Sequence, residues 1–269
     1  MIDEVGELIR EVARDIVLPR FRRLADGEVH EKAPGELVTI ADQEAERLLT
    51  ARLQDMLPGS VVVGEEAVAA DPGVLRRLGD GGAVWVVDPV DGTANFAAGR
   101  TPFAVMVALL RDGAPAAGWI LDVVGDRMAV AEAGSGAYLD GVRMRTRTDL
   151  PADDSLSGAV MSRYLPDEMR FEVAERASGL GAVTPGRHCA GYEYPAIVAD
   201  HQQFSLFWRI LPWDHLPGTL IVTEAGGTVR RLDGSDYRPA EDRRGLLVAA
   251  NAEIWDQVRH VLLPTDTAV

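Results

Sequence analysis

The sequence contains a single cysteine, Cys189, among its 269 residues. One thiol cannot form an internal disulfide or a multi-thiolate zinc site, so both are excluded. The five histidines form no i, i+4 pair and no His-x-x-Glu-His pattern, which disfavours a zinc hydrolase. We therefore expect any metal chemistry in this chain to rest on oxygen ligands.

Basic residues are scarce. The 27 Lys and Arg residues stand against 42 Asp and Glu residues, and the formal net charge is −15. A nucleic-acid backbone or an anionic membrane surface requires a basic footprint, so this balance argues against both partners. An anionic substrate would also be repelled by such a chain unless cations were bound locally.

Long apolar runs are missing as well. The longest uninterrupted one, FAVMVALL at 103–110, has the length of a buried strand and falls far short of a membrane span. The first fifteen residues carry charges throughout and lack the apolar region of a secretory signal. We expect a soluble, cytoplasmic protein with an ordinary globular composition of 47% hydrophobic and 26% charged residues.

Predicted helices and strands alternate in both halves of the chain. In the first half, apolar periodicity predicts helices over 2–24 and 39–59, strands at 60–64, 83–87, 103–110 and 116–124, and a hairpin at 127–141. In the second half it predicts strands at 156–161, 204–208, 227–232 and 245–250, and helices at 167–178, 193–201, 214–225 and 252–263. This order predicts layered α/β packing in one continuous domain with two lobes, 1–148 and 149–269.

Acidic side chains recur where these predicted elements end. The apolar strand 83–87 runs directly into Asp88 and Asp91, and carboxylates at the end of a buried strand are unfavourable unless a positive group meets them. Three further acidic features lie in comparable positions: Asp42, Glu65-Glu66 and Asp214. Carboxylate oxygens are the ligands that Mg²⁺ prefers, together with substrate phosphate. The joint pattern favours a magnesium site.

The loop after this strand has a second property. Pro89 removes a backbone N–H between the two aspartates, Gly92 permits a tight turn, and Thr93 can begin a helix. Backbone N–H groups at a helix start form a phosphate cradle. An isolated Asp-Gly pair is more often a simple turn, and Asp214 alone would be a helix N-cap. Their combination favours phosphate chemistry.

Four segments together resemble the inositol monophosphatase family of magnesium-dependent, lithium-sensitive phosphatases: LVTIADQEAE (37–46), GEE (64–66), WVVDPVDGTANF (85–96) and PWDHLPGTLIVTEAGG (212–227). The resemblance spans roughly residues 5–260. It implies an α+β fold, a layered αβαβα sandwich of the sugar-phosphatase type, and usually a homodimer. The implied activity is Mg²⁺-dependent hydrolysis of a small phosphorylated metabolite, with inositol-1-phosphate as the default substrate.

The resemblance also implies a set of metal ligands, carried over by matching position. Glu65, Asp88 and the carbonyl of Val90 would hold a first Mg²⁺ ion, and Asp88, Asp91 and Asp214 would hold a second. A weaker third ion would lean on Glu65. The site would therefore contain two to three Mg²⁺ ions.

The implied catalytic groups lie beside these ligands. Gly92 and Thr93 would bind the phosphate through their backbone N–H groups. Asp42 and the Thr93 hydroxyl, together with Glu65, would orient and deprotonate the attacking water.

The substrate side departs from the family pattern. Seven residues before Asp214, inositol-specific members typically carry a glutamate that hydrogen-bonds ring hydroxyls, and Phe207 stands there in this chain. Glu193 or Arg209 could replace the lost contact. The candidate substrate contacts are Asp91, Ala190, Glu193, Phe207 and Arg209.

Several alternatives stay open at this point. Arg187, His188 and Arg209 could accommodate a second anionic group, although His188 and Arg209 are more often structural or solvated at such positions. Fructose bisphosphate, 3′-phosphoadenosine nucleotides and histidinol phosphate are alternative substrates. A non-catalytic interaction protein on the same fold is a further alternative, which the intact predicted ligands disfavour.

Overall fold

The structure is a computed structural model that describes residues 1–151 and 155–263. Its first helix, α1 (Ile2–Val12), continues through a π-helical turn at Ala13–Val17 into the short α2 (Leu18–Arg20). The apolar stripe predicted for this segment is buried. The predicted helix over 2–24 therefore ends four residues early, where the chain turns extended after Arg20.

A hairpin follows that the sequence analysis did not predict. Its antiparallel strands are β1 (Val29–Ala33) and β2 (Glu36–Thr39). The segment VHEKAPGELVT has no run of apolar residues, so its pattern resembles a polar loop. The hairpin leads directly into the long helix α3 (Ile40–Met56), which Thr39 caps through a hydrogen bond from the Ala41 N–H.

A seven-stranded sheet forms the centre of the first half of the chain. Its strands lie in chain order, and all neighbours are antiparallel except the first pair. They are β3 (Val61–Gly64), β4 (Ala83–Asp91), β5 (Ala104–Arg111), β6 (Ala114–Asp122), β7 (Arg127–Glu132), β8 (Gly136–Leu139) and β9 (Val142–Met144).

Strand β4 is apolar on both faces because both faces are covered. Trp85 and Val87 pack in the cluster beneath α1 and α3, whereas Val84 and Val86 pack on the opposite face. A strand buried on two sides carries a continuous apolar run rather than an alternating one.

A five-stranded sheet forms in the second half. Its order is β11-β10-β12-β14-β13, and β10 is parallel to both of its neighbours, whereas the two remaining pairs are antiparallel. The strands are β10 (Leu156–Val160), β11 (Gly181–Thr184), β12 (Phe204–Phe207), β13 (Thr228–Arg230) and β14 (Leu246–Ala249). The sequence analysis missed β11, a four-residue edge strand with little buried surface.

The remaining helices are α4 (Glu65–Ala70), α5 (Thr93–Ala97), α6 (Asp167–Ala177), α7 (Ala190–Val198), α8 (Pro212–Glu224) and α9 (Ala252–Leu262), with 3₁₀ turns at Pro72–Gly79 and Ser162–Tyr164. Helices α1 and α3 cover the outer face of the seven-stranded sheet, α7 and α8 lie between the sheets, and α6 and α9 cover the five-stranded sheet. The predicted α+β sandwich with αβαβα layers is confirmed.

Two boundaries differ from the predictions in ways that affect the site. Helix α8 begins at Pro212, two residues before the predicted start, because proline is well suited to the first helical position. Helix α7 begins at Ala190, three residues before the predicted start.

The division into lobes at 148/149 stays a prediction. Among the described residues, no helix is long and apolar enough to cross a membrane.

Candidate active site

Asp88 and Asp91 lie at the end of β4, and a β-bulge brings them to one side. Asp88 pairs with Met106 and Asp91 with Ala104, so three steps on β4 match two steps on β5. In a regular strand, residues three apart point to opposite faces, and one extra residue restores the same face. Pro89 sits inside the bulge, where its missing N–H leaves no gap in the ladder.

Backbone N–H groups hold both carboxylates in place. Asp88 Oδ1 accepts a hydrogen bond from the Val90 N–H at 3.0 Å. Asp91 Oδ2 accepts one from the Gly191 N–H at 2.6 Å, at the start of α7. A Cβ atom on Gly191 would lie 2.6 Å from the Ala104 Cβ, so only glycine lets α7 approach this closely.

Asp214 completes a carboxylate cluster from the first turn of α8. One oxygen each from Asp88, Asp91 and Asp214 lies within 4.8 Å of the other two. Glu65, a further predicted ligand, is paired instead with the Lys32 ammonium group, whose Nζ is 2.6 Å from Glu65 Oε1. Lys32 Nζ also lies 2.7 Å from Glu66 Oε1.

The electrostatics of the cluster fit a cation. Burial raises the pKa of Asp88 and of Asp214 well above the ordinary value, and the neighbouring carboxylates raise both further. Burial likewise raises the pKa of Asp91 to about 6, although the hydrogen bond from the Gly191 N–H opposes the shift. Three carboxylates this close, two of them buried and Asp214 partly buried, repel one another, and a divalent ion bound by their oxygens would relieve the repulsion.

A hydroxyl and a buried carboxylate lie next to the cluster. Thr93 Oγ1 is 3.2 Å from Asp42 Oδ1 and 2.9 Å from the Val90 carbonyl oxygen. Asp42 Oδ2 accepts hydrogen bonds from Thr39 N–H at 2.8 Å and Thr39 Oγ1 at 2.5 Å. Burial raises the pKa of Asp42 to about 7, against the effect of these hydrogen bonds.

The turn between cluster and helix requires glycine. Gly92 has a φ of 83°, in the left-handed region, and a Cβ there would lie 3.1 Å from the Pro102 carbonyl oxygen. This turn starts α5 at Thr93, so the first N–H groups of the helix open toward the same place as the carboxylates.

These groups form one wall of a cavity of about 140 Å³. Most of the residues predicted for the site line it: Glu65, Asp88, Val90, Asp91, Gly92, Thr93, Ala190, Phe207, Arg209 and Asp214. Asp42 lies behind Thr93 and is fully buried, so it reaches the cavity only through the Thr93 hydroxyl.

Glu193 lies away from this cavity. Its Oε1 accepts a hydrogen bond from the Arg187 N–H at 2.7 Å, and its Oε2 accepts one from Gln202 Nε2 at 2.8 Å. Because α7 starts three residues early, Glu193 sits in the first turn and faces the protein interior. The structure therefore does not support the expected substrate contact at Glu193. The Arg187 guanidinium lies over the Tyr192 ring instead of lining the cavity.

Another part of the cavity wall contains residues that the sequence analysis missed. They include Glu36 of the hairpin, Arg163 and Tyr164 of the second 3₁₀ turn, and Trp208 after β12. Lys32 of the hairpin, also missed, lines the cavity beside Glu65 and Glu66. The hairpin contacts the turn and the loop after β12 across more than a hundred residues of chain. No local pattern signals such contacts.

The sandwich thus carries a carboxylate cluster that could hold a metal ion. The sequence profile of the inositol monophosphatase family matches residues 2–263, so the chain belongs to this family. Its relatives act on phosphate monoesters, and the prediction of a phosphoric monoester hydrolase is confirmed.

Two curated relatives match over most of their length. An inositol-1-monophosphatase of Rhizobium meliloti (strain 1021) is 30% identical over 268 residues, covering 97% of this chain and 94% of the relative. A fructose-1,6-bisphosphatase/inositol-1-monophosphatase of Thermotoga maritima is 28% identical over 229 residues, covering 84% of this chain and 82% of the relative.

A solved structure gives the same picture of the fold. The IMPase of Thermotoga maritima superimposes with a TM-score of 0.81 at 24% identity, covering 97% of this chain and 95% of that one. At this identity the likeness concerns the fold alone.

Proposed function

We propose that this protein is a Mg²⁺-dependent phosphomonoesterase that hydrolyses a small phosphorylated metabolite. The observation that carries the proposal is the convergence of Asp88, Asp91 and Asp214 within 4.8 Å beside a helix start. A cluster of this kind attracts cations, and the bound cations would attract a phosphate despite the net charge of −15.

The proposed metal site uses two to three Mg²⁺ ions. Asp88, Asp91 and Asp214 would hold them, with the Val90 carbonyl and Glu65 as further ligands once Glu65 parts from Lys32. When bound, Mg²⁺ supplies charge neutralisation, a more acidic bound water and stabilisation of the leaving oxygen.

The chain's own groups would position the substrate and accept a proton. The N–H groups of Gly92 and Thr93 lie at the start of helix α5 and would bind phosphate oxygens. Thr93 Oγ1 would accept a proton from the attacking water and pass its own to Asp42 Oδ1, 3.2 Å away. A pKa of about 7 suits Asp42 to this exchange near neutral pH.

The identity of the substrate is a separate part of the proposal. The names of the relatives suggest inositol-1-phosphate as the first substrate to test, and one relative is also named a fructose-1,6-bisphosphatase. Phe207 offers no acceptor for a ring hydroxyl, so the bisphosphate is a candidate of equal standing.

The proposal is tested by phosphate release with and without Mg²⁺. Substrates are inositol-1-phosphate, fructose-1,6-bisphosphate, 3′-phosphoadenosine-5′-phosphate, histidinol phosphate and glycerol 2-phosphate. We expect release that requires Mg²⁺ and falls at least about a hundredfold in Asp88→Asn, because this variant removes a central ligand. Asp55→Asn, an exposed aspartate on α3, is the matched control.

Two results would contradict the proposal. One is release that persists after chelation of Mg²⁺, and the other is equal activity of Asp88→Asn and the wild type. Absence of release from every substrate would favour the alternative of a non-catalytic interaction protein on this fold.

We further propose that the protein acts as a homodimer, as the family resemblance implies, and that it is located in the cytoplasm, as the charged first fifteen residues suggest. Light scattering on the purified protein would support a homodimer at twice the chain mass of 29.0 kDa. A mass equal to one chain at micromolar concentration would contradict it.

A further inference from the structure

We infer that the physiological substrate carries a second anionic group, which Arg209 and Arg163 bind at the part of the cavity wall next to the β1–β2 hairpin. This inference rests on the proposed function and narrows its substrate class. It selects phosphomonoesters with a further phosphate or carboxylate over neutral polyol phosphates.

The first observation concerns what this wall lacks. Phe207 lines the cavity, and its ring is buried by stacking on Tyr194, with 5.2 Å between centroids. His215 packs edge-on against the same ring at 4.8 Å. Phe207 is therefore fixed in the wall and offers a polyol no hydrogen bond.

The second observation concerns the support of Arg209. His215 Nε2 lies 3.1 Å from the Arg209 carbonyl oxygen, and His215 Nδ1 lies 2.7 Å from the Tyr194 hydroxyl. A carbonyl oxygen can only accept, so His215 Nε2 carries the proton and Nδ1 accepts from Tyr194. This buried chain of hydrogen bonds fixes the backbone from which the Arg209 side chain extends into the cavity.

The third observation is that a second guanidinium lies at the same ring. The Arg209 guanidinium carbon lies 4.3 Å from the centroid of Tyr164, and that of Arg163 lies 5.4 Å from the same centroid. Arg163 Nη2 donates to the Gly35 carbonyl oxygen at 2.9 Å, and Arg209 Nη1 is paired with Glu36. Both arginines therefore converge on the turn of the β1–β2 hairpin.

The charges at this position do not balance among the groups that contact the two arginines directly. Arg209 is paired with one carboxylate, Glu36, and is also attracted by Asp214, whereas Arg163 donates only to the neutral Gly35 carbonyl. Each guanidinium has five N–H donors, and Arg209 uses one of them for Glu36. The remaining donors form a planar fork suited to phosphate or carboxylate oxygens.

Lys32 does not share this role. Its ammonium group is held by two carboxylates, Glu65 and Glu66, and it lies on the metal side of the cavity. The cavity therefore carries two kinds of charge: the carboxylates would face the reacting phosphate through the metal ions, and the two guanidinium groups beside the hairpin would face a second anionic group. A molecule with an anionic group at each end satisfies both walls.

The test is a ratio of specificities. The kcat/KM of each two-anion substrate, fructose-1,6-bisphosphate and 3′-phosphoadenosine-5′-phosphate, is divided by that of inositol-1-phosphate. We expect at least one ratio to be about 10 or higher in the wild type, and to fall about 10-fold to 100-fold in Arg209→Gln through a rise in KM. Arg209→Lys keeps the charge and should retain part of the preference.

A second variant guards against loss of folding in the first. Arg163 is exposed and anchored by one hydrogen bond, so Arg163→Gln should fold and lower the same ratio by a smaller factor. Arg23→Gln, an exposed arginine outside the cavity, removes the same charge and should leave the ratio unchanged.

The inference is overturned if inositol-1-phosphate is the best substrate of the wild type, or if Arg209→Gln and Arg163→Gln keep the wild-type ratio. Hydrolysis of glycerol 2-phosphate, and its loss in Asp88→Asn, report on the proposed function separately. If no substrate is hydrolysed, calorimetric titration of the wild type in Mg²⁺ gives the same comparison as a ratio of affinities. Equal or undetectable binding then overturns the inference.

Discussion

The two walls of the cavity are built by different means. The carboxylate wall comes from regular elements of the core, with Asp88 and Asp91 on β4 and Asp214 on α8. The arginine wall comes from a hairpin, a 3₁₀ turn and a loop, joined by contacts such as Glu36–Arg209, which are 173 residues apart. In the proposed function, the reaction chemistry lies on regular elements of the core and the recognition of the substrate on connecting segments.

The two walls also differ in how much unbalanced charge a bound ligand would have to neutralise. Burial raises the pKa of each carboxylate, and repulsion from neighbouring carboxylates raises it further. The arginine wall is already neutralised in part by Glu36 and by stacking on Tyr164. Loss of a group on the carboxylate wall should therefore stop the reaction, whereas loss on the arginine wall should change which substrate is preferred.

Among the variants that test this difference between the walls, Thr93→Ala should have the largest effect on activity. Thr93→Ala removes the hydroxyl between the cavity and Asp42, and we expect kcat to fall about a hundredfold because proton transfer loses its relay. Mg²⁺ binding should persist, since no carboxylate changes. Phosphate-release kinetics and the rise of Tm with added Mg²⁺ measure the two effects.

Thr93→Ser is the matched control because it keeps the hydroxyl. It should retain kcat within a few fold. If the alanine and serine variants were equally slow, the defect would lie in the start of helix α5 rather than in the hydroxyl, and the proton-relay role would be rejected.

A smaller effect is expected from pH on Mg²⁺ binding. Asp91 has a pKa of about 6 without metal, and those of Asp88 and Asp214 are also raised, so protons compete with Mg²⁺ for the same oxygens. The apparent Mg²⁺ affinity should fall about tenfold per pH unit, per proton displaced, below pH 6. Titration of Tm against Mg²⁺ at pH 8, 7, 6 and 5 measures it.

Lower pH weakens Mg²⁺ binding, but it should stabilise the protein when Mg²⁺ is absent. A carboxylate whose folded pKa exceeds its unfolded value binds protons more tightly when folded, so the metal-free protein should gain stability from Asp91 as pH falls from about 6 toward 4. Asp91→Asn should reduce that gain. A Mg²⁺ effect on Tm of the same size at pH 8 and pH 5 would show that these carboxylates do not bind the ion.

The two walls also differ in how well the sequence predicts them. The carboxylate wall is encoded locally: an apolar run buried on two faces ends in Asp88 and Asp91, with Pro89 between them and Gly92 after them. Each of these residues carries a backbone requirement that can be recognised in the sequence alone. The layered fold is predictable for a similar reason, because its long helices and buried strands have strong periodicity.

The arginine wall has no such local signal. Arg163 resembles any solvated arginine in sequence, and Arg209 is predicted only as one of several candidate contacts. Only the folded chain brings both to Tyr164. Glu193 is the opposite case, because the sequence analysis predicted a substrate contact there that the structure does not support. An earlier start of α7 turns its carboxylate toward the Arg187 N–H, and a shift of three residues in a helix start is within the range that periodicity does not resolve.

The smallest expected effect concerns the support behind the arginine wall. Tyr194→Phe removes the donor to His215 Nδ1, and burial, which lowers the pKa of His215 to about 3, prevents this nitrogen from gaining a proton instead. An unpaired buried acceptor should lower the free energy of unfolding by about 1–3 kcal/mol. The substrate ratio should shift only a few fold, because the Arg209 backbone keeps its hydrogen bond from His215 Nε2.

Chemical denaturation measures the change in the free energy of unfolding, and the specificity ratio measures the change in substrate preference. Tyr138→Phe, at a less buried tyrosine, is the control. A shift in the ratio as large as that of Arg209→Gln would place His215, rather than the guanidinium, at the centre of substrate selection.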